Sequence, residues 1–169
     1  MPVADNILKD LSLFVDGKGY AGNIESFKPP KLSLKTNDHR AGGMDSSVAV
    51  EMGMEALETS FVLTGHFPDV LALWGVVVGE KPQLTARGSV ESWDGTVTPV
   101  VISMSGPITD IEDGDWKPGE SNTQTFTMKP EYYKREQGDV VLHEIDVPNM
   151  VRKINGVDQL EARRNALGL

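Results

Sequence analysis

The stretch HRAGGMDSSVAVEMGMEALETSFVLTG, residues His39 to Gly65, holds two strand-like patterns joined by a passage rich in glycine and methionine. In the first, Val48, Val50, Met52 and Met54 alternate with Ala49, Glu51 and Gly53. A period of two gives a ribbon one apolar side. The second pattern, Leu57, Thr59, Phe61 and Leu63, alternates in the same way. A hairpin needs only two residues to reverse the chain, so the longer passage from about residue 38 to 56 reads as a projecting β-hairpin arm. An isolated two-stranded ribbon is marginal in water, and its apolar face must meet another surface. Either the arm covers its own domain, as long loops often do, or it meets another copy of the chain. Methionine, which adapts to surfaces that slide and repack, favours the second.

Outward from the arm the pattern is mainly β. Leu11 to Val15 followed by Asp16-Gly17 and Gly19 predicts a strand and a tight turn. Pro29 and Pro30 mark a corner before an alternating strand with Leu32 and Leu34 on one face and Lys31, Ser33 and Lys35 on the other. Phe67, Val70, Leu71, Trp74 and Val78 recur at helical spacing, with Pro68 and Asp69 suited to a first turn and Gly79 to an end. This predicts one helix flanking the β core, with Trp74 buried. Leu84 to Trp93 and Thr96 to Gly106 form a hairpin around Asp94-Gly95, with Val100, Ile102 and Met104 facing inward. Thr123 to Lys134 and Val140 to Ile145 predict two further strands, preceded by an acidic loop, DIEDGDWKPGES. An Asn155-Gly156 turn, Asp158 with Glu161 three residues on, and Gly168 near the end predict a short C-terminal helix.

The 169 residues suit one domain, 1–169, burying roughly 70% of the unfolded surface. No apolar run approaches the length of a membrane span, and the acidic first residues do not read as a signal peptide. A cytoplasmic setting without a membrane anchor is the expectation. The formal net charge of −9 opposes stable adhesion to nucleic acid or anionic lipid, which depends on Lys and Arg.

Catalytic patterns are absent from the sequence. With no cysteine there are no disulfides, thiolate metal sites or cysteine nucleophiles. His39, His66 and His143 fall in separate segments without ligand spacing. Asp110, Glu112, Asp113 and Asp115 lack the ligand order of a calcium loop. Nucleophile elbows and phosphate-binding glycine loops are missing as well. The expectation is no enzyme, no catalytic residue, no metal and no cofactor.

Several ordered segments resemble one family. They are LFVDG (residues 13–17), PKLSLKT (30–36), RAGGMDSSVAVEMGMEAL (40–57), GDWKPGE (114–120) and EIDVPNMVRKINGVDQLEARRNALGL (144–169). Together they resemble the tail tube proteins of contractile-tailed bacteriophages, a family that includes the tubes of R-type pyocins.

The resemblance implies a mainly β fold: a β-sandwich or barrel-like tail-tube domain with one flanking helix, a long β-hairpin arm and a short C-terminal helix. It also implies hexameric rings stacked into the inner tube of a contractile tail, which conducts DNA and protein and punctures the host envelope. The implied partners are further copies of the chain, the sheath protein, a baseplate tube initiator, a tape measure and a tail terminator, with DNA only in transit. The implied location is the virion tail or pyocin particle, assembled in the bacterial host cytoplasm. The arm residues Arg40, Gly42, Gly43, Met44, Asp45, Val48, Val50, Met52 and Met54 are then the ring-stacking set. For the lumen the alternating polar face Thr85, Arg87, Ser89 and Glu91 is one candidate and Lys31, Ser33 and Lys35 another; an ordinary solvated face fits the same alternation. A monomeric ligand-binding β-barrel is the alternative from a different class.

Overall fold

Tight turns with left-handed residues set the first hairpins. The computed structural model describes residues 3–75 and 79–169. Asp16 (φ 49°) and Gly17 (φ 83°) reverse the chain between β1 (Ile7–Val15) and β2 (Lys18–Gly19). Then come β3 (Ile24–Lys28), β4 (Leu34–His39), β5 (Val48–Met54) and β6 (Thr59–Thr64). A single helical turn, α1 (Pro68–Leu71), leads to β7 (Gln83–Glu91), β8 (Val97–Ser105), β9 (Ile108–Asp113) and β10 (Thr123–Met128). The chain ends with β11 (Tyr132–Gln137), β12 (Val140–Asp146), β13 (Val151–Ile154), β14 (Val157–Asp158) and α2 (Glu161–Ala166).

The strands make a large sheet in the order β14-β13-β12-β11-β8-β7-β1-β2, a small sheet β3-β6-β10-β9, and the separate ribbon β4-β5. Alternation decides the core between the two sheets. Leu13, Leu84, Ala86, Ile102, Met104 and Tyr133 face inward from the large sheet, and Phe61, Leu63, Ile108, Phe126 and Met128 from the small one. Phe61 and Phe126 sit opposite each other in register, their rings stacked with centroids 5.0 Å apart. Neither sheet closes on itself among the described residues, so the alternative of a single-chain ligand-binding barrel has no enclosed barrel to rest on.

Four expectations need correcting. The helix at Pro68 stops after one turn: Gly75 adopts φ 104°, its N–H donates to Ile108 O, and the chain runs along β9 instead of winding on. Val78, the last member of the helical pattern, lies outside the described residues. Trp74 is not core but 60% exposed, lying along the free edge of β9 with its Nε1–H donated to Thr109 O at 2.9 Å. Thr123 to Lys134 is not one strand, because Lys129-Pro130 carries the chain from the small sheet to the large one. The acidic DIEDGDWKPGES is only partly a loop, since Asp110, Glu112 and Asp113 belong to β9, whose Ile108 and Ile111 pack against the core.

Those sheet changes share one corner. At Gly106-Pro107 the chain leaves the large sheet, and at Lys129-Pro130 it returns, with Lys129 N–H donating to Pro107 O and Glu131 N–H to Ser105 O. A Cβ on Gly106 would lie 2.3 Å from Lys129 O and 2.8 Å from Pro130 Cα, both backbone atoms that cannot rotate away. Gly106→Ala should therefore destabilise the domain by about 1–3 kcal/mol or more, whereas Gly22→Ala, with nothing within 4 Å of the new methyl group, should leave stability nearly unchanged. Thermal or urea unfolding of both variants checks this.

Candidate assembly surfaces

The ribbon β4-β5 is the arm, and it begins at Leu34, earlier than the sequence suggested. Val48 pairs with His39 and Val50 with Asn37 in antiparallel register, and β5 does not pair with β6. Directly paired residues share a face, so His39, Asn37, Val48 and Val50 lie together, with Met52 next in the row. This face stays in water: Val48 is 49%, Val50 44% and Met52 58% exposed. Met54, at the arm's base, is half buried against the core.

At the tip the chain closes on itself. Arg40 Nε–H donates to Met44 O at 3.2 Å, and Ala41 N–H lies 3.3 Å from the Met44 sulfur. Gly43 takes φ 88°, a conformation that favours glycine, while Gly42 and Asp45 are exposed.

Glu51, on the ribbon's other face, decides which side looks outward. Its carboxylate accepts from Arg152 Nη1 at 3.0 Å and from Arg163 Nη2 at 2.9 Å. Arg152 is 7% exposed and also donates Nε–H to Gln159 Oε1 at 3.0 Å, so Glu51 neutralises a buried cation. The Arg152 hydrogen bond, aided by Arg163, holds the Glu51 carboxyl below the usual carboxylate range. Helix α2 buries no side chain of its own. Arg163 instead joins it to the arm, while Arg164 joins it to Asp158 (2.9 Å) and to Met150 O (2.9 Å). Asp158 does not cap that helix, whose first-turn boundary is Leu160; it accepts Leu160 N–H instead.

Thr85, Arg87, Ser89 and Glu91 lie on the outer face of β7, opposite Leu84, Ala86 and Val90. Ser89 donates its hydroxyl to Asp10 Oδ2 at 3.0 Å, and the Arg87 guanidinium lies over Phe14, 5.9 Å from the ring centre. Further along this face Lys134 pairs with Glu136 at 3.2 Å, and Tyr132 donates to Glu144 at 3.1 Å. Burial, then the Glu144 charge, pushes the Tyr132 phenol up to about 12. Lys153, paired in register with Glu144 on the same face, is exposed and forms no ion pair among the described residues. Lys31 and Ser33 precede β4, and Lys35 sits at a register shift at the arm's base, 3.9 Å from Glu55. His39, His66 and His143 occupy β4, the loop before α1 and β12, and among the described residues no three potential ligands gather to hold a metal.

Residues 5–168 match the family described as phage tail tube protein FII. The major tail tube protein of Serratia phage KSP20 is 35% identical over 165 residues, covering 96% of this chain and 95% of that protein. The tail tube protein of Escherichia phage P2 is 32% identical over 167 residues, covering 96% of each. Among solved structures, the sheath/tube terminator of an extracellular contractile injection system, PVC, in its extended state aligns with TM-score 0.58 at 15% identity, over 80% of this chain and 96% of that one. The sheath-tube complex of the same system aligns with TM-score 0.56 at 12% identity, over 75% and 88%. At these identities the structural likeness concerns the fold alone.

The clamp gives a pH dependence with a definite sign. Because the folded Glu51 carboxyl titrates below its unfolded counterpart, its contribution is present above the ordinary carboxylate range and is lost as the pH falls through the folded value. Glu51→Gln should lower amide-exchange protection of Val48–Met54 several-fold at neutral pH, and the wild-type chain should show the same loss only on acidification. Exchange mass spectrometry, corrected for intrinsic rates, reads both.

Proposed function

The chain belongs to the phage tail tube protein FII family, a family of structural proteins and not enzymes, and on that premise we propose that it forms the inner tube of a contractile tail or pyocin-like particle. Six copies join into a ring, and rings stack through the arm. One observation carries this reading: Val48, Val50 and Met52 form an apolar row held away from their own domain while Glu51 is anchored to it. An interface core is where such a row belongs. The open edges of both sheets support the reading too, since ring closure pairs or covers edges that otherwise invite aggregation.

The outer face carrying Thr85, Arg87, Ser89 and Glu91 is proposed to line the channel. On it Lys134 is paired with Glu136, which removes one site at which a passing DNA phosphate would stall, while Arg87 over the Phe14 ring keeps its charge. The net charge of −9 acts in the same direction near the wall, within a screening length of about 8 Å. A surrounding sheath, a baseplate initiator, a tape measure and a tail terminator complete the proposed particle, which is assembled in the bacterial cytoplasm and ejects DNA or protein through the tube.

Concentrated protein should form rings or hollow tubes with sixfold end views in negative-stain images, and sedimentation should shift with concentration. A compact monomer at every concentration would contradict the proposal. Met52→Asp should abolish tubes while leaving the circular-dichroism spectrum and melting temperature intact, because a buried unpaired carboxylate costs several kcal/mol or is forced to protonate. Normal polymerisation of this variant would remove the arm from the stacking contact.

A further inference from the structure

The large sheet has an incompletely covered inner face. Beside β3 lies a groove of about 320 Å³, floored by β11, β8, β7 and β1, which are successive neighbours in the sheet, and walled by Phe27 and Pro29. Its floor is apolar, with Leu11, Ala86, Val90, Val100 and Ile102. Leu8 stands at its margin, 60% exposed. None of the described residues fills it.

One end of the groove is polar and incomplete. Arg135 lies there, directly paired across β11 and β12 with His143. Arg135 Nε and His143 Nδ1 are both buried, and neither has a hydrogen-bond partner. Buried polar nitrogens are nearly always satisfied, and Arg135 Nε, which can only donate, lacks an acceptor here. In a chain of net charge −9, this is a cationic end to an apolar trough.

The arm has the complementary pattern. Its apolar row from Val48 to Met52 spans about 13 Å at the rise of a strand, and four adjacent strands span about 14 Å across three spacings. Beyond Val48, toward the tip, Asp45 is exposed and forms no ion pair among the described residues. Lengths, polarity and charge therefore match end to end. The arm does not reach this groove in its own chain, because Glu51 ties it to Arg152 of β13 and Arg163 of α2.

We propose that the groove is the socket for the arm of a second copy in the adjoining ring, with Val48, Val50 and Met52 on its floor and the Asp45 carboxylate accepting from Arg135 Nε. The proposal rests on the reading of the arm as the stacking element. It makes the stacking contact heterologous, an arm at one end of each ring and a socket at the other, and this is the geometry that extends without limit.

Leu8→Glu and Met52→Asp separate the socket from the arm. Leu8 is exposed in the single chain, so the glutamate should leave folding intact by circular dichroism while raising the critical concentration for tubes more than about tenfold. Mixed with Met52→Asp rings, Leu8→Glu rings should give ring pairs but no tubes, because one intact arm layer meets one intact socket layer. Asp45→Arg and Arg135→Glu should each impair stacking and together restore it. The absence of cysteine also allows a direct probe: chains with Asp45→Cys mixed with chains with Arg135→Cys should form disulfide-linked pairs under mild oxidation. If Leu8→Glu polymerises normally while Met52→Asp does not, and the cysteines fail to link, the socket is overturned and the arm's role stands. If Met52→Asp also polymerises normally, the stacking role falls and the socket with it.

Discussion

The carboxylate of Glu51 between Arg152 and Arg163 governs how this chain meets its surroundings. A strand has two faces, and a ribbon this short can lie on its domain by either one. Had the row of Val48, Val50 and Met52 turned inward, the hydrophobic effect would have closed the arm onto its own sheet. Glu51 would then have been left in water, and Arg152, almost fully buried, would have lost its anion. Removing one partner from a buried pair costs more than the pair itself contributes. The buried arginine thus selects the orientation in which the apolar row stays exposed.

Beneath the arm the sandwich itself is tightly constrained. Phe61 against Phe126 and the inward rows of β7, β8 and β11 give the two sheets a shared core. The corner where Gly106 passes Lys129 and Pro130 locks the two sheet changes together. A rigid sandwich is a suitable base for a projecting ribbon, since a contact made by the arm then transmits force to the whole domain. Helix α2 belongs to the same arrangement. It is held by Arg163 and Arg164 and not by buried apolar side chains, so the C-terminal segment and the arm respond together to charge.

Local chemistry made much of this legible in advance. Asp16-Gly17, Asp94-Gly95 and Asn155-Gly156 each mark a reversal because positive φ is required there, and alternation identified the inward faces of β6, β7 and β8. The apolar face of β5 was also readable. Its partner β4 was harder, because Lys35, Thr36, Asn37 and Asp38 are polar on both faces of a strand whose neighbours are few. The one-turn α1 was over-read, since Gly75 overrides a helical spacing that continues past it. In β9 the acidic residues concealed a strand, as an edge strand tolerates charge on its outward face while Ile108 and Ile111 supply the inward one. The Glu51 clamp was invisible for a simpler reason: its arginines lie 101 and 112 residues away, and no local pattern connects them.

The exposed row on β5 is the proposed surface by which one ring holds the next. An electron cryomicroscopy reconstruction of assembled tubes, at a resolution that traces side chains, would show whether this row is buried between rings. Val48, Val50 and Met52 should be buried against a subunit of the adjoining ring, with Glu51 still bound to Arg152 of its own chain. Tubes in which those three side chains remain in water, with the rings meeting through other surfaces, would contradict it.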